Sequence, residues 1–186
     1  ANINANVKDG DTTLMLAIKN NNREAFDVLI HSEDIALNTA NTMHDYTALV
    51  LAIELERLEF AKKLLAKGCN IPVKAFTLSK NNAPLLAAIK SASSEQKSAL
   101  LVQAVEHSNT TAFKKIINEM HGLDTLPALE RAIQDNSVEM VDILFGHGLN
   151  KIAALEVAVK QWVKGDTSEE SEVFKKLVDF NRNSLH

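Results

Sequence analysis

Cys69 is the single cysteine, and with a histidine such as His44 it supplies the residue types of a nucleophile and its base. The six histidines, His31, His44, His107, His121, His147 and His186, are the chain's best metal ligands by type. No two of them stand three or four positions apart, so no single helix presents a histidine pair. Asp166, Glu169, Glu170 and Glu172 are dense enough to attract a cation. Carboxylates in that pattern equally suit a helix N-terminus, where the helix dipole favours them by about 0.3–1 kcal/mol each. His-Glu-x-x-His, Cys-x-x-Cys, a phosphate-cradling glycine loop and a nucleophile elbow are all missing from the sequence. The reading is that the chain is not an enzyme, with no catalytic residue, no metal ligand and no cofactor expected.

What would position any functional side chain is a helical scaffold. Hydrophobic residues make up 46% of the 186 and charged ones 24%, the balance of a chain that folds. Aromatics are only 5%, while Ala and Leu abound, which suits helices in close approach. The longest wholly apolar runs, Ala48–Ile53 and Ala83–Ile89, are six and seven residues long, so membrane insertion is not expected. Net charge is −4, and the acid excess lies in the second half, where residues 94–186 carry ten bases against fourteen acids. Such a field repels phosphate backbones, so nucleic acid is not an expected partner. One unpaired cysteine fits a reducing compartment, and the expected location is cytoplasmic.

Two segments repeat. Thr12-Thr13-Leu14-Met15-Leu16-Ala17-Ile18 is followed, fifteen residues after Leu14, by Leu29-Ile30. Thr47-Ala48-Leu49-Val50-Leu51-Ala52-Ile53 is followed, fifteen after Leu49, by Leu64-Leu65. The period is 35. Thr12 and Thr47 are placed to cap a helix, and Leu14, Ala17 and Ile18 form the i, i+3, i+4 stripe that faces a neighbour. Phe26, Leu29 and Ile30 form the matching stripe on a second helix. The phrase Leu-x-x-Ala-aliphatic returns at Leu101–Val105, Leu129–Ile133 and Leu155–Val159, at shorter steps of 28 and 26 residues. Asn136–Glu139, Thr167–Glu170 and Ser93–Gln96 read as capping boxes, and Pro84 and Pro127 suit a first helical turn.

This pattern resembles the ankyrin repeat family, whose repeat of about 33 residues opens Thr-Pro-Leu-His-x-Ala. Asp9-Gly10-Asp11-Thr12 stands where the family places its hairpin turn and threonine, and Lys67-Gly68-Cys69-Asn70 looks like the family's repeat ending. There Cys69 takes a packing position. The resemblance implies an all-α, ankyrin-like solenoid of about six helix pairs, with hairpin fingers only in the first two units. A single domain over 1–186 is expected, in units of about 6–40, 41–70, 71–98, 99–125, 126–151 and 152–186. In the third, Pro72–Ser79 pairs with Pro84–Ala92, the alternative being that Pro84–Ser91 is a first helix and the helix near Ser98–His107 is shared between pairs. In the last, Trp162–Ser168 is an insertion. Ala1–Ala5 resembles the tail of a preceding repeat, so the expectation is a piece of a longer protein.

By the same resemblance the function is protein–protein interaction through the concave groove of finger tips and first helices, by a monomer. The residues nominated for the partner are Lys8, Asp9, Asp11, Lys19 and Asn20 in the first unit. In the second they are Met43, His44, Tyr46, Glu54 and Leu55. Tyr46, the only tyrosine, is nominated as an amphipathic anchor. The seventeen asparagines and degenerate repeats are similar to those of ankyrin-bearing bacterial effectors that act in the host cytosol. The alternative is a non-catalytic targeting domain of a larger multidomain enzyme.

Overall fold

The computed structural model describes residues 3–7, 9–165 and 171–182. Thr167 and Glu170, read above as a capping box, lie outside them, as does Lys8. The described residues form twelve α-helices and one 3-10 turn, with one isolated antiparallel bridge, Asn6 to Thr12, and no longer strand. The fold class is all-α. Contacts divide the chain into two compact units, Ala1–Gln96 and Lys97–His186.

The first unit holds α1 (Thr13–Lys19), α2 (Arg23–His31), α3 (Ala48–Glu54), α4 (Leu58–Ala66), α5 (Val73–Leu78) and α6 (Ala83–Lys90), with the 3-10 turn Ser79–Asn81 before α6. Helix α1 pairs with α2 and α3 with α4. First helices stack on one another through α1 to α3 and α3 to α5, and α4 packs on α6. Thr12 and Thr47 cap α1 and α3, each accepting from the amide three residues on. Helix α3 lies inside the stack, and all of Ala48–Ile53 is buried.

Helix α7 (Ser94–Glu106) begins at the end of the first unit. The second unit continues with α8 (Thr110–Glu119), α9 (Leu126–Gln134), α10 (Val138–Gly146), α11 (Lys151–Lys164) and α12 (Glu172–Arg182). Helix α9 pairs with α10 and α11 with α12, while α9 stacks on α11 and α10 on both α8 and α12. Loops of a few residues join the pairs, Met120–Thr125 and His147–Asn150, where the first unit spends a finger.

One turn recurs in four pairs and explains the alanine of the repeated phrase. Asn21, Glu56, Ser108 and Asn136 each adopt left-handed backbone, with φ of 51°, 55°, 49° and 51°. The amide of the next residue then donates to the carbonyl of the phrase's alanine: Asn22 to Ala17 at 2.9 Å and Arg57 to Ala52 at 2.7 Å. Asn109 to Ala104 and Ser137 to Ala132 follow at 2.8 Å each. This is a Schellman ending, which satisfies the last carbonyls of the first helix and reverses the chain. A small side chain at that place lets the second helix lie against the first. Ala52, Ala104, Ala132 and Ala158 are wholly buried.

Two sequence readings are corrected. Asn136–Glu139 is not a capping box: Ser137 is the N-cap of α10 and makes no side-chain cap bond. Asn136 has turned left-handed, and its side-chain Oδ1 instead accepts from Ser171 Oγ at 2.8 Å and from the Val173 amide at 3.3 Å, at the start of α12. Glu139 pairs with Lys114 at 3.1 Å. In α11 the buried stripe is Ala154, Val157, Ala158 and Gln161, so Leu155 is only half-buried and Val159 is exposed. Ser93–Gln96 is a capping box, and the Gln96 amide also donates to the Cys69 carbonyl at 2.6 Å. Pro84 and Pro127 sit in first helical turns. Trp162 continues α11, its ring 6.0 Å from that of Phe174, before Gly165 ends the helix in left-handed backbone.

Candidate functional site: the paired fingers

Two turns project ahead of α1 and α3. The first reverses over Val7–Asp11, with Val7 N donating to Asp11 O at 2.8 Å and Gly10 N to Val7 O at 3.0 Å. The second is closed by Asn41 N donating to Tyr46 O at 2.8 Å. Left-handed backbone at Asp9, Gly10 and Asp45 makes the reversals possible, with φ of 71°, 74° and 49°. At Gly10 the second finger also passes close. A side chain's first carbon would lie 2.2 Å from Thr42 Oγ1 and 3.0 Å from its amide nitrogen.

Asp11 organises both fingers. Its carboxylate is 1% exposed and accepts from the Tyr46 hydroxyl at 2.7 Å and from Asn41 Nδ2 at 2.6 Å. The Lys19 ammonium completes an ion pair with it and lies 5.7 Å above the Tyr46 ring. Asn41, 2% exposed, distributes the rest: its Nδ2 also donates to Asp9 O at 2.9 Å. Its Oδ1 accepts the amides of Met43 and His44 at 2.8 Å each. A buried carboxylate is tolerated because three donors take up its acceptor capacity.

The protonation states follow from this geometry. Burial pushes the Asp11 carboxyl up, but hydrogen bonds from Lys19, Tyr46 and Asn41 outweigh it, leaving it below the usual value. The bond to Asp11, then that to Tyr46, holds the Lys19 ammonium above its ordinary range against the opposing effect of burial. Burial, and donation to Asp11, raise the Tyr46 hydroxyl. At neutral pH the cluster is carboxylate, ammonium and neutral phenol. Such a saturated set serves as a structural clamp.

The nominated residues therefore separate. Asp11 and Tyr46 are interior, at 1% and 8% exposure, and Lys19 is tied to them. Asp9, Asn20 and His44 are exposed, and the His44 ring stacks on Tyr46 with centroids 6.1 Å apart. Met43 is 67% exposed at the second fingertip and Leu55 40% exposed at the end of α3. Glu54 pairs with Lys74 at 2.7 Å. Asn41 was missed by the sequence reading. The available signal was an Asx turn: an asparagine followed by three residues that need their amides satisfied. Asn4 and Asn38 act similarly at repeat ends. Asn4 Oδ1 accepts the Ala36 amide and Asn38 Oδ1 the Asn70 amide, both at 2.8 Å.

Cys69 is 1% exposed, and burial pushes its thiol up to about 12, so it is un-ionised at neutral pH and packs as a small apolar group. Among the described residues, no cluster of His, Cys, Asp or Glu is arranged to hold a metal ion, and no helix is long and apolar enough to cross a membrane.

A family model of ankyrin repeats in three copies matches residues 1–75, the stretch that contains both fingers. The likeness to ankyrin repeats is carried by these residues, which make up less than half of the chain. A solved structure, that of EF0377, an ankyrin repeat protein, is 17% identical over 92% of this chain and 98% of its own, with a TM-score of 0.39. No curated protein matches. Ankyrin repeats indicate a protein-interaction module.

Proposed function

We propose that the chain binds a partner protein on the face made by the two fingers and the C-terminal ends of α1 and α3. Asp9, Asn20, Met43, His44, Glu54 and Leu55 meet the partner, and Lys8 joins them on sequence grounds. Asp11, Lys19 and Tyr46, with Asn41, hold that face in shape from behind. The observation that supports this reading is Met43. It is a large apolar side chain left 67% exposed on a turn whose backbone is pinned by Asn41. A rigid, exposed apolar group flanked by polar ones has the make-up of an interface centre.

The test is quantitative affinity purification from cells with the wild-type chain, a Met43→Asp, Leu55→Asp variant and a Val163→Asp control in α11. Circular dichroism establishes that each is folded. Partners recovered by the wild type should fall about tenfold or more with the double variant, the loss of about 1.4 kcal/mol or more, and should persist with the control. Equal recovery by all three would remove the face assignment.

A further inference from the structure

We draw no further inference here: the strongest candidate, the open apolar groove along α1 and α2 where Leu16, Ala25, Val28 and Leu29 lie beside one another, carries nothing because nothing in the structure shows what covers it.

Discussion

The two units solve one problem with different materials. Successive helix pairs must be held in register beyond the apolar contacts they share. In the first unit one polar link is buried, where Asp11 receives Tyr46 and Asn41 from a segment 30–35 residues further on. The bond of Asn4 to the next repeat ending is partly buried and that of Asn38 is exposed. In the second unit, as for Lys63 to Asp27 in the first, the ion pairs of similar span lie at the surface. They are Lys114 to Glu139, Arg131 to Glu106 and Lys176 to Asp142, all substantially exposed. A buried, saturated network fixes geometry because breaking any member strands the others. An exposed pair exchanges readily with water and contributes about 0–1 kcal/mol.

The largest contrast is expected from deleting one carboxylate in each unit. Asp11→Ala leaves the Tyr46 hydroxyl and the Asn41 amide buried without their acceptor, and should cost about 2–4 kcal/mol. Glu139→Ala removes only an exposed pair and should cost less than about 0.5 kcal/mol. Urea unfolding followed by circular dichroism measures both; equal losses would erase the distinction drawn between the units.

Next in size is Gly10→Ala, at roughly 2 kcal/mol. Left-handed backbone costs about 1 kcal/mol for alanine, and the added carbon must displace Thr42 as well. Amide hydrogen exchange should show faster exchange at Asn41, the donor that closes the second finger, and unchanged rates in α9 and α10.

The acid response sharpens the same comparison. The folded-state pKa of Asp11 is lowered, so its contribution is complete above the unfolded value of about 3.9 and is lost as pH falls through the folded one. Stability of the wild type should therefore drop on acidification below about pH 4. Asp11→Asn, less stable at neutral pH, should show a shallower decline over that range in pH-dependent thermal unfolding. A parallel decline in both proteins would mean that Asp11 is not ionised in its cluster.

The smallest effect concerns what the units share. Glu56 and Ser108 hold the same left-handed turn position, one in each unit. Glycine relieves that strain, so Glu56→Gly and Ser108→Gly should each be neutral or stabilise by up to about 1 kcal/mol. Thermal melts that move in opposite directions would show that the two turns are not equivalent.

The helices and their pairing were legible because they depend on local periodicity: Leu14-x-x-Ala17-Ile18 and its echoes place one apolar stripe per helix. The threonine caps were legible too, since a cap is settled within three residues. The left-handed turns were harder to see, because Glu56 and Ser108 carry none of the glycine signal that usually announces such backbone.

The candidate site divides on the same line. By themselves, spacing and residue type placed the repeat and its period of 35, while the fingers ahead of α1 and α3 came from the resemblance to ankyrin repeats. The same resemblance nominated Asp11, Lys19 and Tyr46 as residues of consequence. Whether those three face outward or inward was settled only in three dimensions. Their roles depend on contacts between residues up to 35 apart. A tyrosine next to a turn has the same local sequence whether its hydroxyl meets a partner or a buried carboxylate. Only the stacking of α3 on α1 brings Asp11 to Tyr46 and leaves Met43, three residues before it, in the open.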